Sequence, residues 1–141
     1  MRNDVLSMER NDESMQVTIE QIQKAAANWS IEVTPAGAAK IESFADCLNP
    51  GTTVNVTFLP GTEPMDTVAV AERLHHEGMR PVPHLAARSL RDTDQLASLL
   101  AAYTSRCGVN EVLVIGGGVD QPIGAFSDSM QVLETGLIQR Y

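Results

Sequence analysis

The chain has 141 residues, 43% of them hydrophobic and 20% charged, which suits one globular domain and leaves no room for two. A formal net charge of -8 excludes the basic footprint of a nucleic-acid binder. No apolar run approaches the roughly 18 residues that a membrane span needs, and Met1–Met15 lacks the apolar core of a signal peptide, so the reading is a cytoplasmic protein with no membrane partner.

Residues 1–14 are charged and weakly periodic and read as a flexible acidic lead; residues 15–141 read as a single domain. From Met15 to Trp29, Val17, Ile19, Ile22, Ala25, Ala26 and Trp29 fall near helical spacing and predict a helix. Ser30–Thr34 is a short strand ended by Pro35 and Gly37, and Ala38–Leu48 reads as a helix with Ile41, Phe44, Ala45 and Leu48 on one face. Thr53–Leu59 is a second strand, interrupted by Asn55 and Thr57. Pro64–Glu77 is a helix stopped by Gly78. Pro81–Ala87 is a third strand, in which Pro81 and Pro83 each lack a ladder donor. Asp92 or Thr93 caps a helix running to Cys107, with Gly108 as its stop. Glu111–Ile115 is the fourth strand, and Ser127–Arg140 closes the chain as a helix.

Strand and helix thus alternate at a period of roughly 25–30 residues, the pattern of parallel strands joined by right-handed helical crossovers. Glu32, Thr57, His84 and Asp120 fall late in the strands or just after them, and the carboxyl ends of parallel strands are where α/β folds bind ligands. Strand alternation turns Glu32 away from Ile31 and Val33. There it is either a partly desolvated carboxylate suited to proton transfer or an edge-strand residue facing water. His84 is either a hydrogen-bonded core residue or a site residue. The glycines of Gly116-Gly117-Gly118-Val119-Asp120 allow close approach to the backbone and an anion-binding nest, or simply a tight loop. No dinucleotide fingerprint, Walker loop, metal-ligand spacing or Ser/His/Asp set is present. Trp29, Phe44 and Phe58 read as packing residues, Phe126 as a residue of the ligand-facing rim. His75 and His76 read as solvated, and Cys47 and Cys107 as unpaired thiols buried as small hydrophobes, without a ligand pattern.

Four strand ends, taken in order, resemble the methylenetetrahydrofolate reductase family. Ser30-Ile31-Glu32-Val33-Thr34-Pro35 is similar to the family's Ser-Phe-Glu-Phe-Phe-Pro-Pro and sets Glu32 on its catalytic glutamate, the acid that protonates the folate as its methylene bridge opens. Val54-Asn55-Val56-Thr57-Phe58 looks like Val-Ser-Val-Thr-Tyr and sets Thr57 on a flavin-contacting threonine. Pro83-His84-Leu85 matches Pro-His-Leu, whose histidine lies against the flavin. Leu113 to Asp120, with Gly116, Gly117 and Gly118, occupies the place of the family's Leu-Arg-Gly-Asp turn. Phe126-Ser127 falls where an aromatic–small pair lies near the adenine side of FAD. The turn departs from the pattern: it has no Arg, Gly118 stands in place of the Asp, and Asp120 follows two positions on.

The resemblance implies a flavin-dependent oxidoreductase of one-carbon and methionine metabolism. FAD is its cofactor, NAD(P)H its cosubstrate and 5,10-methylenetetrahydrofolate its substrate. The implied fold is the N-terminal half of a (β/α)8 TIM barrel, with four parallel strands in order 1-2-3-4 and helices on the outer side. Because such a barrel takes about 250 residues, the resemblance further implies one of two situations. The chain is either a truncated reading frame or a half-barrel that pairs with itself as a homo-oligomer or with a separate C-terminal half. The rival reading is a small open-sheet α/β module whose Gly116–Asp120 turn holds a phosphate or nucleotide without redox chemistry. Strand order separates the two.

Overall fold

The computed structural model describes residues 18–141; the predicted acidic lead and the first residues of the predicted first helix lie outside them. Helix α1 spans Ile19–Ala25 and opens with a capping box, in which the Thr18 hydroxyl accepts from Gln21 N–H and Gln21 Oε1 accepts from Thr18 N–H at 2.8 Å. It stops short of Trp29 because Asn28 turns into the left-handed region at φ 61°, which short polar side chains tolerate. None of its residues is buried.

Four strands follow: β1 Ser30–Val33, β2 Thr53–Val56, β3 Arg80–Ala86 and β4 Leu113–Ile115. All pair in parallel, in the order β1-β2-β3-β4, within one sheet. The register is staggered at β3. Its first four residues, Arg80–Pro83, pair with β2, and its last three, His84–Ala86, pair with β4. That stagger explains the two prolines. Arg80 N–H donates to Thr52 O at 2.9 Å, so residues 80 and 82 face β2 and residues 81 and 83 face the opposite side. On that side β4 begins only at the level of His84, so the N–H groups that Pro81 and Pro83 lack have no strand to meet.

Helices α3 (Pro64–His76) and α4 (Thr93–Cys107) match their predicted spans to within a residue. Asp92 accepts from Gln95 N–H at 2.8 Å at the start of α4, and Gly108 closes it at φ 58°. They share one core with one face of the sheet: Val54, Val56 and Leu85 from the strands, Val68, Ala71 and Leu74 from α3, and Leu96, Leu100 and Tyr103 from α4. Inside it the Thr67 hydroxyl donates to Pro64 O at 2.6 Å, so in the 2.6 Å contact with Tyr103 it is the phenol that donates. Burial pushes the Tyr103 hydroxyl up to about 12, partly offset by that bond.

Two predicted helices are corrected. In place of Ala38–Leu48 there is a single turn, α2 (Pro35–Ala38), capped by Thr34, followed by turns through Leu48. Those turns are tied to α3 as well as to themselves. Arg73 donates to Ala38 O, Ile41 O and Glu42 O at 3.0, 2.7 and 2.9 Å, and its guanidinium lies 4.9 Å over the Phe44 ring. Glu77 pairs with Arg73 at 2.7 Å and accepts from Phe44 N–H and Ala45 N–H. In place of Ser127–Arg140, α5 covers only Ser129–Glu134. Gly136, at φ 66°, breaks it before a 3-10 turn at Ile138–Arg140. The strands are also shorter than predicted at β1, β2 and β4.

Candidate functional site

On β2, Val54 and Val56 point into the helical core, so Asn55 and Thr57 take the other face of the sheet. Glu32 is directly paired with Asn55. His84 lies one step beyond the last β2–β3 pair, Val56 with Pro83, level with Thr57. Strand alternation and register therefore bring Glu32, Thr57 and His84 to one place, near the carboxyl ends of three adjacent strands. The Thr57 hydroxyl donates to Glu32 Oε1 at 2.5 Å, and the same oxygen is 4.0 Å from His84 Nδ1.

The three differ in burial, and that decides their chemistry. The Glu32 side chain is 57% exposed, which is the water-facing of its two readings. His84 is only 6% exposed, and neither ring nitrogen has a hydrogen-bond partner among the described residues. Burial lowers the His84 imidazole below its ordinary 6.5, against a smaller upward pull from Glu32. A neutral imidazole there carries one free N–H and one free lone pair. Leaving both unmet is costly, which marks the position as one where a partner is due.

The glycine turn stands at the end of β4. Gly117 adopts φ 93°, a conformation that favours glycine, and a Cβ there would sit 3.3 Å from Ala86 Cβ. Arg88, which the sequence reading did not single out, holds this turn from the neighbouring loop. Its Nε donates to Gly116 O at 3.2 Å, its Nη2 to Gly117 O at 2.9 Å, and its backbone N–H to Gly116 O at 3.0 Å. A guanidinium therefore lies at a turn whose own sequence contains no arginine. Gly118 lies against Pro60, and Asp120 is exposed with no hydrogen-bond partner among the described residues.

Phe126 is buried at 4% exposure in the main core, not on a ligand-facing rim. Ser127 is exposed at the start of α5, where Gln131 Oε1 accepts from its N–H at 2.6 Å and from its hydroxyl at 3.1 Å. The structure thus brings Glu32, Thr57 and His84 together, sets the glycine turn on the adjacent strand end, and leaves Phe126 and Ser127 outside the cluster.

A cleft of about 320 Å³ opens between the loops that follow β2, β3 and β4, and none of these residues lines it. The loop after β4 is pressed closely onto the loop after β3. Ile123 N–H donates to Arg88 O and Ala125 N–H to Arg91 O, at 2.9 and 2.8 Å, and a Cβ on Gly124 would fall 2.1 Å from Arg91 O. Among the described residues no group of three or more His, Cys, Asp or Glu side chains could hold a metal ion, and no helix is long and apolar enough to cross a membrane. No protein-family model matches the chain.

Proposed function

We propose that the chain is the N-terminal half of a (β/α)8 barrel of the methylenetetrahydrofolate reductase type, with FAD as cofactor, NAD(P)H as cosubstrate and 5,10-methylenetetrahydrofolate as substrate. The sequential parallel order supports the barrel over a doubly wound sheet, whose order reverses at its ligand site. The stagger across β3 supports it too, since closing a barrel requires shear between neighbouring strands. The observation that carries the functional reading is the meeting of Glu32, Thr57 and the partnerless His84 on the sheet face opposite the helical core.

When bound, FAD supplies the hydride relay between nicotinamide and folate. The residues fit such a group: His84 offers a buried donor and acceptor with no protein partner among the described residues. His84 and Thr57 would hold the ring system. Gly116–Gly118, fixed by Arg88, would hold the more polar part. The Thr57 hydroxyl occupies Glu32 Oε1 and orients the carboxyl group. Glu32 Oε2 is then the oxygen that would hand a proton to the substrate nitrogen, once bound flavin and folate cover the carboxyl that is 57% exposed here.

The test has two arms. Purified protein incubated with FAD and desalted should keep flavin absorbance, and His84→Ala should weaken FAD about tenfold, the worth of one lost hydrogen bond. In a protein completed by the second half-barrel, Glu32→Gln should leave flavin binding intact and slow flavin reoxidation by the folate by roughly 10²–10⁴-fold, the usual worth of a general acid. Protein that stays colourless and quenches no FAD fluorescence at saturating flavin would rule out the reading.

A further inference from the structure

The cleft between the three loops is separate from the Glu32–Thr57–His84 cluster: of the residues around the cluster, only Phe58 reaches its wall. Its polar lining consists mainly of hydrogen-bond donors. Ser89 is 7% exposed, lines the cleft, and its hydroxyl meets no hydrogen-bond partner among the described residues. Arg91 lines it from the same loop, and its guanidinium forms no ion pair among the described residues. Gln95 stands one helical turn on. Its Oε1 is already occupied by Arg91 N–H at 2.8 Å, so what it can still offer is its amide N–H₂.

The start of α3 forms the opposite wall. Glu63 at the cap position makes no side-chain cap bond, and Pro64 follows at the first helical position. Pro64, the helical residue at this wall, carries no N–H, and Asp66 N–H already donates to Glu63 O at 2.9 Å, so the start of α3 contributes shape rather than donors. Phe58, Val119 and Ile123 supply apolar surface.

We infer that this cleft is a binding site for a small phosphate monoester, its phosphate held by Arg91, Ser89 and the Gln95 amide, and its apolar body set against Val119 and Ile123. A tetrahedral dianion suits the lining because it accepts from several converging donors at once, including a guanidinium fork. Glu63 is the only carboxylate in the lining, and it acts against binding.

Phenyl phosphate and inorganic phosphate are the probes, titrated by calorimetry into the full chain at constant ionic strength. Phenyl phosphate should bind saturably and more tightly than phosphate. Arg91→Ala should cost about tenfold or more in affinity, Ser89→Ala less, and Glu63→Gln should tighten binding a few-fold by removing a repelling charge. His84→Gln, at the other site, should change nothing. The inference fails if neither probe binds, if Arg91→Ala binds as well as the parent while retaining its circular dichroism, or if His84→Gln abolishes binding and so moves the anion to the glycine turn. The outcome is independent of whether FAD binds, so the two readings stand or fall separately.

Discussion

His84 carries a pH dependence whose sign follows from its surroundings. Burial lowers it from 6.5, so the folded protein resists a proton that the unfolded chain accepts. Its contribution is therefore complete above about pH 6.5 and is lost as pH falls from there through the folded value. Two carboxyls act in the same sense at lower pH. Burial alone would raise Glu77, but donation from Arg73, Phe44 N–H and Ala45 N–H outweighs it, and the Arg106 hydrogen bond lowers Glu72. Their contributions are present above 4.5 and fade below it, which leaves the interval between 4.5 and 6.5 to His84. Urea unfolding across that interval should show stability declining with acid in the parent and a flatter profile in His84→Gln; parallel profiles would dismiss the imidazole as the cause. At this scale the sequence was informative where geometry is local. Period-two alternation turned Glu32, Thr57 and His84 to one face without any knowledge of loops. Arg88 escaped notice because its partners, Gly116 and Gly117, lie 28 and 29 positions away and are reached only once two loops are folded together. Phe126 misled for a similar reason: a position beside a strand-end loop says nothing of which way the ring turns.

The elements divide in the same manner. Helices α3 and α4 were legible because their apolar spacing and glycine stops, and for α4 its Asp92 cap, are written within or beside their own spans. The stretch from Ala39 to Leu48 has helical apolar spacing yet forms turns, held by a few short-range backbone bonds and by a guanidinium from α3 that takes the carbonyls of Ile41 and Glu42. That dependence can be broken. Arg73→Ala removes the donor to three carbonyls and leaves Glu77 without its cation, at a cost of about 1.5–3 kcal/mol, the range for hydrogen bonds to charged groups. Because Lys40 is exposed within this stretch, limited trypsinolysis should shift toward cleavage after Lys40 in the variant. Unchanged cleavage there, with unchanged urea midpoint, would mean that the turns hold without their tie to α3.

For the molecule as a whole, parallel order and a helical core on one sheet face were legible from the alternation of strands and helices, since right-handed crossovers allow few arrangements. The length of each strand was not, because it depends on where a neighbour begins. The outer strands make this visible: β1 and β4 each pair on one side only among the described residues, and Ile31 and Leu113 stand 44% and 43% exposed. Such edges invite further strands, and the reductase reading supplies them from a second half-barrel.

The divided register of β3 has a kinetic meaning as well. The residues that join it to β2 and those that join it to β4 do not overlap, so the two ladders can open one at a time. β4 is three residues long and is held on a single side, whereas β2 is held on both. Native-state hydrogen–deuterium exchange should find the β3–β4 amides opening through a local fluctuation, with low sensitivity to denaturant. The β2 amides should wait for global unfolding. Equal protection of the two ladders would instead make the sheet one cooperative unit. In the expected case, the glycine turn and the loop that follows it ride on the most labile strand, and any ligand gripped there would slow the exchange of β4 before it affected any other part of the sheet.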